Sequence, residues 1–210
     1  MILIGQYDSP FVRRVGIALT LYGIDFEHQR WSVWGDAERI AAHNPLRRVP
    51  TLVLDDGTSL LETWAILDAL DEQVGRDRAL VPASGRARRD ALRITALASG
   101  FADKAVSLLY EGLVRSEPSA SWIERCRVQM RATLDQLERE FLSINTTYWT
   151  GDAPGHADIA CACSLTFARE AHPQFFEGGN WPRLFALADA CEQLEPFRAI
   201  HQPIINNLSR

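Results

Sequence analysis

The feature that most constrains the fold of this chain is a change in its hydrophobic pattern near residue 76. Before this point, short apolar runs of strand length alternate with longer segments whose apolar residues recur at helical spacing. Their order is strand, helix, strand, helix, strand, strand, helix. Two crossover units followed by a hairpin predict a small mixed sheet, with helices packed on its faces, over residues 1–76.

The part of the chain after this change has no convincing strand pattern. Residues 76–89 carry five arginines together with glycine, proline and serine, which is typical of a linker that leads into a helix. Residues 86–210 are therefore predicted to form an all-helical domain. Its helices are expected over 86–115, with Gly100 as a candidate bend, from about Ser121 to Leu142, from Ala157 to Glu170, from Asn180 to Leu194, and after Glu195.

Composition and charge argue against several classes of function. The chain has 210 residues, of which 47% are hydrophobic and 23% charged, as in ordinary globular proteins. Its net charge of −5 argues against a nucleic-acid partner, which would favour a basic surface. No apolar run reaches the roughly 18 residues of a membrane span, and the N-terminus lacks the features of a secretory signal. We therefore expect a cytoplasmic protein with neither a membrane nor a nucleic-acid partner.

The placement of cysteine and histidine predicts no metal site. The four cysteines, at positions 126, 161, 163 and 191, lie in apolar, helix-like segments and are predicted to be reduced core thiols. The five histidines, at positions 28, 43, 156, 172 and 201, have no ligand spacing and no accompanying carboxylate cluster. Structural roles, at the surface or partly buried, are expected for them.

The dipeptide Val49-Pro50 lies immediately before an apolar strand-like run. A proline cannot donate a ladder hydrogen bond, so it belongs at the first residue of a strand or at a bend. Bonds that precede proline are almost the only peptide bonds found in the cis form. A cis bond here would turn the backbone groups of Val49 away from the sheet and leave them available to a ligand. The alternative is a proline that only opens a strand.

Two predicted helices begin close to this segment in the expected fold. Ser9-Pro10 is a strong helix start, with serine as the N-cap and proline as the first helical residue, and Gly23 ends that helix. Glu62-Thr63 falls where the last strand ends and the next helix begins. The free N–H groups and partial positive charge of a helix start favour a bound carboxylate or another anion. Taken alone, each start is better explained as an ordinary cap.

These pieces, in this order and over essentially the whole length of the chain, resemble the cytosolic glutathione transferases. The matching segments are Ser9-Pro10-Phe11-Val12-Arg13-Arg14, Asn44-Pro45 to Val49-Pro50, Leu61-Glu62-Thr63, and Gly155 to Asp158 at the start of the buried helix. The resemblance implies a thioredoxin-like N-terminal domain that binds glutathione as co-substrate and an all-α C-terminal domain. It is closest to the serine-type branch, which includes many bacterial members.

The resemblance also implies roles for individual residues. Ser9 matches the serine whose hydroxyl donates a hydrogen bond to the glutathione sulfur. Val49 matches the residue whose backbone pairs with the cysteinyl part, held by Pro50, which the family has in cis. Glu62 and Thr63 match the pair that holds the γ-glutamyl amine and carboxylate respectively. Arg48 falls where some members use a basic residue for the glycine carboxylate.

The expected chemistry explains why a hydroxyl at a helix start is useful. A free cysteine-type thiol has a pKa of about 8.5, and lowering it by about two units requires roughly 2.7 kcal/mol. A hydroxyl donor to a charged partner contributes about 1.5–3 kcal/mol, and a helix N-terminus about 0.3–1 kcal/mol. Ser9 is placed where both act. Tyr7 is a second candidate donor, because other branches use a tyrosine, but it is expected to line the electrophile pocket or lie on the surface. No cysteine stands at this helix start, which disfavours the cysteine-using branch.

The residues around the electrophile are predicted less specifically. Candidates for an apolar wall are Gln6, Tyr7, Phe11, Trp34, Phe101 and Leu108, although aromatic residues are more often simply part of a core. Arg13 and Arg14 are expected on a solvated face or at a subunit contact. Two departures from the family pattern are Gly155, where serine or threonine often caps the buried helix, and Trp64, which is large for its position beside the glutamyl site or a subunit contact.

The sequence therefore predicts a two-domain glutathione transferase that conjugates glutathione to a small apolar electrophile. A homodimer is the expectation from the family. Glutathione-dependent reduction, peroxidase chemistry, isomerisation and dehalogenation are alternatives on the same site. A non-catalytic scaffold with the same fold is an alternative of a different class.

Overall fold

The computed structural model describes residues 1–204, which form two compact units. The first consists of Met1–Ala83 together with the segment that begins at Glu195, and the second of Ser84–Leu194. The predicted boundaries, 1–76 and 86–210, differ from these units at the C-terminus, because the last segment packs with the first unit. Residues 205–210 of the predicted helical domain lie outside the described part.

The first unit is a four-stranded mixed sheet with three main helices. Its strands are β1 (Ile2–Ile4), β2 (Glu27–Gln29), β3 (Thr51–Val53) and β4 (Ser59–Leu61), in the spatial order β2-β1-β3-β4. Strand β1 is parallel to β2 and antiparallel to β3, and β4 is antiparallel to β3. Its helices are α1 (Pro10–Tyr22), α2 (Ala37–Ala41) and α3 (Thr63–Val74). The element order is the predicted one.

Helix α1 begins and ends as its sequence predicts. Ser9 is the N-cap, Pro10 is the first helical residue, and Gly23 follows the helix in the left-handed conformation with φ of 66°. The apolar side of α1 packs against the sheet and α3 in a core whose buried members are Leu3, Val12, Val15, Ala18, Leu19, Tyr22, Leu52, Ile66, Leu67 and Leu70.

The prediction that Arg13 and Arg14 lie on a solvated face is wrong, because both are only 3% exposed. Arg13 donates from Nε to the carbonyl oxygen of Ile200 at 2.7 Å and from Nη2 to that of Phe197 at 2.9 Å. These acceptors lie in and just after a short helix, α8 (Glu195–Ala199), which follows α7 (Pro182–Glu192) along the chain. The buried guanidinium thus ties the C-terminal segment to α1, which accounts for its membership of the first unit.

The second unit is all-helical in the part of the chain that the structure describes. Its helices are α4 (Gly85–Val114), α5 (Ala120–Phe141), α6 (His156–Ala171) and α7, with a 3₁₀ turn over Pro173–Phe176. Helix α4 continues through Gly100. Ser119 caps α5 by accepting a hydrogen bond from the Trp122 N–H at 3.4 Å, and Ser121 lies just inside the helix. The two units together confirm the predicted fold class.

Helix α6 is the buried central helix of the second unit, as its apolar sequence predicts. Gly155 is its N-cap, and because glycine has no hydroxyl, only half of a capping box can form. Asp158, fully buried, supplies that half: its carboxylate accepts from the Gly155 N–H at 2.9 Å and from the Trp149 N–H at 2.8 Å. Burial raises the pKa of Asp158 to about 6, and the two N–H donors act in the opposite direction.

The cysteines and histidines take structural positions. All four cysteines are free thiols and buried, as predicted. His156 and His172 are also buried, more completely than predicted, and Nε2 of His172 lies 2.8 Å from the carbonyl oxygen of Ala105. Within residues 1–204, no group of three or more histidine, cysteine or acidic side chains is arranged to hold a metal ion. No helix in that range is long and apolar enough to cross a membrane.

Candidate active site

The register of β3 against β4 brings two of the predicted binding segments together. Thr51 pairs with Leu61. Pro50 directly precedes Thr51, and Glu62 directly follows Leu61, so the Val49-Pro50 segment and the start of α3 are neighbours at one end of the hairpin. Segments 13 residues apart in sequence therefore meet through ordinary antiparallel pairing.

The Val49-Pro50 peptide bond is cis, as the sequence suggested. It lies beside the end of β1, because Ile4 pairs with Thr51. A Cβ atom added to Gly5 would lie 2.8 Å from Cβ of Val49 and 2.6 Å from a methyl carbon of Val12, and Gly5 has a φ of +130°. Only glycine fits between the β1 end, the Val49 segment and the first turn of α1.

A buried asparagine holds the loop that leads to this segment. Asn44 is 2% exposed, and its amide nitrogen donates to the carbonyl oxygen of Arg48 at 2.9 Å and to the hydroxyl of Thr51 at 3.1 Å. Its side-chain oxygen accepts from the Leu46 N–H at 3.0 Å. The sequence predicts Asn44-Pro45 only as the start of a segment that matches the family pattern, with no role for the Asn44 side chain. Asparagine often accepts from the backbone N–H two residues further on, and that preference is the signal that could have revealed this role.

Replacing Asn44 with alanine should destabilise the protein and weaken ligand binding at Val49. The change leaves the Arg48 carbonyl and the Leu46 N–H without these partners, at an expected cost of about 2 kcal/mol. Because the same bonds fix the segment before Val49, we also expect KM for glutathione to rise. Thermal unfolding and steady-state kinetics would measure the two effects. Asn145→Ala, at an exposed site, is the control, and equal stability of the two variants would contradict the prediction.

Glu62 is held in an unusual backbone conformation at the start of α3. Its φ of 66° lies in the left-handed region, which costs a non-glycine residue about 1–3 kcal/mol and is most often retained at functional sites. Its carboxylate oxygen lies 3.2 Å from Nη1 of Arg48. Thr63 is 6% exposed, and its hydroxyl lies 3.5 Å from the carbonyl oxygen of Phe11, at the first turn of α1. The starts of α1 and α3 therefore lie next to each other.

Ser9 is a partly buried N-cap with hydrogen-bonding capacity beyond its capping role. Its Oγ accepts from the Val12 N–H at 3.4 Å, a long contact for a cap. A hydroxyl accepts and donates at once, so its hydrogen can be directed to a ligand atom at the helix N-terminus while the cap is kept. The hydroxyl and the helix end both favour negative charge at that place.

Tyr7 packs away from the start of α1. Its ring stacks on His28, with centroids 3.8 Å apart, and its Cε1 would lie 2.9 Å from a Cβ added to Gly16. At 1.5 Å of rise per residue, Gly16 lies about 9 Å along the helix from Pro10. Burial raises the pKa of Tyr7 to about 12. These contacts favour a packing role for Tyr7 over that of a donor at the N-terminus of α1.

The sequence predicts only a structural role for His28. Its side chain contacts Gly5 and Tyr7 at the end of β1. Burial lowers its pKa, which favours the neutral ring, and Nε2 lies 2.7 Å from the carbonyl oxygen of Gly5. The hydrogen bond and the stacked Tyr7 ring together fix the chain at the end of β1, where it approaches Val49.

The other predicted wall residues have different environments. Phe11 is half-buried at the first turn of α1, and Trp34 is 43% exposed in the loop after β2. In the second unit, Leu108 is half-buried on α4, whereas Phe101 is 2% exposed and packs with Phe175 in the core. Core packing alone accounts for Phe101. Phe11, Trp34 and Leu108 retain accessible apolar surface.

Three features thus lie close together in the first unit: a hydroxyl at a helix N-terminus, a half-buried residue ahead of a cis proline, and a carboxylate at a second helix start. The arrangement suits an extended ligand that carries an anionic or acidic atom at one point and an ammonium group at another.

Both units match family models of glutathione S-transferase domains. The model of the glutathione S-transferase N-terminal domain matches residues 8–73, and that of the C-terminal domain matches residues 120–199. An uncharacterized GST-like protein, YibF, from Escherichia coli K12 is 30% identical over 168 residues, which cover 80% of this chain and 81% of that protein. A maleylacetoacetate isomerase from Pseudomonas aeruginosa is 29% identical over 213 residues, covering 96% of this chain and 95% of the isomerase.

A solved structure is similar over nearly the whole chain. It is a glutathione transferase family member from Pseudomonas fluorescens Pf-5 with bound glutathione, 30% identical, with a TM-score of 0.82. The match covers 97% of this chain and 99% of the other. The first unit is therefore a thioredoxin-like domain, the second is the helical domain that accompanies it, and the chain belongs to the glutathione S-transferase family.

Proposed function

We propose that this chain binds glutathione along its first unit and conjugates the glutathione thiolate to small apolar electrophiles. The observation that carries the proposal is the meeting of Ser9, Val49-Pro50 and Glu62-Thr63, which the β3–β4 register and the close contact at Gly5 bring together. Each belongs to a segment that resembles the family's glutathione site. The relative with bound glutathione supports the choice of ligand.

In this proposal each segment binds one part of the tripeptide. The backbone of Val49, which precedes the cis bond, pairs with the cysteinyl part. Glu62 accepts a hydrogen bond from the γ-glutamyl ammonium, and Thr63, at the start of α3, donates to the γ-glutamyl carboxylate. The sulfur then lies at the start of α1, within reach of the Ser9 hydroxyl.

The reaction requires the sulfur to be ionised before it attacks. A hydrogen bond from Ser9 and the N-terminus of α1 both stabilise the thiolate over the thiol, so its pKa falls and the thiol proton passes to solvent. The thiolate attacks the electrophilic carbon, and a carbon–sulfur bond forms as the leaving group departs with its electron pair. No general base is needed in this step. In the first unit, Phe11 and Trp34 are the candidates to contact the electrophile.

A second candidate function is glutathione-dependent cis–trans isomerisation. The maleylacetoacetate isomerase relative, which matches nearly the full length of both chains, favours it over the reductive alternatives. Both reactions begin with the same thiolate, and they differ in whether the sulfur adduct is retained or released.

Two measurements on the purified chain test these functions. Calorimetric titration with glutathione should show binding, and a chloro-nitro aromatic should be converted to its glutathione adduct. Absence of glutathione binding would contradict the proposal and favour a scaffold. Binding with isomerisation of maleylacetoacetate, and without conjugation, would favour the second candidate.

We also propose that the chain forms a homodimer. Trp64 is 73% exposed at the first turn of α3, so it does not fill space beneath the glutamyl site. Tryptophan is enriched at protein–protein interfaces, so a subunit contact is the better suited of the two expected positions. Sedimentation of wild type and Trp64→Ala tests this, and a monomeric wild type would contradict it.

A further inference from the structure

Arg48 lies beside the residue proposed for the γ-glutamyl ammonium. Its Nη1 is 3.2 Å from Oε1 of Glu62, and the two side chains remain 61% and 41% exposed. Exposed pairs of this kind contribute about 0–1 kcal/mol to stability. The ion pair is thus weakly held and reachable by a ligand. Because the Arg48–Glu62 ion pair contributes little to folding, stability does not account for its position beside the γ-glutamyl site.

The two charges match the two charges of an amino acid. The γ-glutamyl end of glutathione carries an ammonium and a carboxylate on one carbon atom. A carboxylate and a guanidinium that are already in contact present the complementary pair of charges at a similar spacing. A planar guanidinium is also well suited to a carboxylate, to which it donates two parallel hydrogen bonds.

Both side chains start from fixed backbone positions. The carbonyl of Arg48 accepts from Asn44 at 2.9 Å and lies 3.3 Å from the Thr51 hydroxyl. Glu62 has a positive φ at the N-cap position of α3. The direction in which the two side chains leave the backbone is therefore set before any ligand binds, and it brings them together at the end of the hairpin.

We infer that Arg48 is a specificity-determining residue that binds the α-carboxylate of the γ-glutamyl end while Glu62 binds its ammonium. The inference rests on the proposed function, and it replaces the glycine carboxylate as the group assigned to Arg48. Thr63 then shares the same carboxylate through its position at the helix start. The site therefore recognises an intact γ-glutamyl group. Arg48 does not bind the glycine carboxylate at the other end of the tripeptide.

The chain provides a matched control in the adjacent arginine. Arg47 forms an ion pair with Glu38, Nη1 to Oε1 at 3.0 Å, with side-chain exposures of 53% and 81%. Its removal changes the net charge by the same amount and breaks an ion pair of similar geometry. Arg47 differs from Arg48 in that its partner, Glu38, takes no part in the Arg48–Glu62 contact.

The experiment is calorimetric titration of wild type, Arg48→Ala and Arg47→Ala with two ligands, glutathione and γ-glutamylcysteine, which lacks the glycine carboxylate. Arg48→Ala should weaken the binding of both ligands by the same factor, about tenfold. Arg47→Ala should change either affinity by less than about twofold. Arg48→Lys, which keeps the charge without the planar fork, should recover part of the loss.

The result that would overturn the inference is a penalty confined to glutathione. If Arg48→Ala weakens glutathione binding and leaves γ-glutamylcysteine unaffected, Arg48 binds the glycine end. Equal losses in Arg47→Ala and Arg48→Ala would also overturn it, because net charge would then explain the effect. Failure of wild type to bind either ligand would instead contradict the proposed function.

Discussion

Replacing Ser9 with alanine should lower kcat/KM for conjugation by roughly 10- to 100-fold. This range corresponds to the loss of one hydrogen bond to a charged group. For the same reason, the pKa of the bound glutathione thiol should rise by about one to two units. The affinity for glutathione should change little near neutral pH, because most of the tripeptide is held elsewhere. The dependence of kcat/KM on pH, with the ultraviolet absorbance of the thiolate, measures both quantities.

The control for Ser9→Ala must separate capping from chemistry. Ser119 caps α5 in the same way that Ser9 caps α1, each accepting one N–H at 3.4 Å. Ser119→Ala should therefore lose a similar capping contribution, about 1 kcal/mol, without altering the pH profile. Ser9→Thr keeps the hydroxyl and should retain most of the activity. If turnover and the thiol pKa were unchanged in Ser9→Ala, Ser9 would have no role beyond its cap.

Replacing Asp158 with alanine should destabilise the protein by about 3 kcal/mol. The change removes the acceptor for two buried N–H groups, those of Gly155 and Trp149, and each unsatisfied donor costs about 1–3 kcal/mol. For a chain of this length, the unfolding midpoint should fall by about 6–12 °C. Calorimetry at about pH 8 is suitable, because a carboxyl group with a pKa of about 6 is then ionised in the wild type.

Asp189 provides the matched control for this change. Its carboxylate pairs with Arg169 at 2.8 Å, but it is 66% exposed, so Asp189→Ala should cost less than about 1 kcal/mol. Asp158→Asn keeps one acceptor and should fall between the two. Equal midpoints for Asp158→Ala and Asp189→Ala would show that the cap of α6 contributes little to the stability of the helical unit.

The sequence predicted most of the architecture because the relevant signals are local. A serine before a proline and a glycine after an apolar stripe each define one boundary, so α1 begins and ends where predicted, and α3 begins at the predicted Glu62-Thr63. The change of pattern near residue 76 predicted a sheet-containing region followed by a helical one, and the structure has that fold class. The cis bond at Pro50 followed from the family resemblance rather than from a local preference, since proline makes a cis bond possible but still favours the trans form.

Contacts between distant segments were not predictable in the same way. Arg13 looks like a surface residue in sequence, and only the position of the Phe197 and Ile200 carbonyls explains its burial. Asn44 looks like a helix terminator, although its side chain organises the loop to Thr51. Both roles depend on where a remote or folded-back segment lies, and hydrophobic periodicity contains no information on that.

Aromatic residues illustrate a further limit. Phe11 and Phe101 are equally apolar in sequence and both were assigned to the electrophile wall. The first is half-buried at a helix start, whereas the second is enclosed in the helical core. Periodicity identifies the inward face of a helix, but it does not distinguish packing against a neighbouring helix from packing against a ligand.

The hydrogen bonds of Arg13 to the C-terminal segment have a consequence for gene recombination. A fragment that stops at residue 83 would leave this guanidinium without two of its carbonyl acceptors, and an undercompensated buried cation is costly. Chimaeras with relatives therefore need two crossover points, near residues 84 and 194, so that the N-terminal and C-terminal pieces are inherited together. The compact unit that contains the sheet is thus encoded by two separated stretches of the gene.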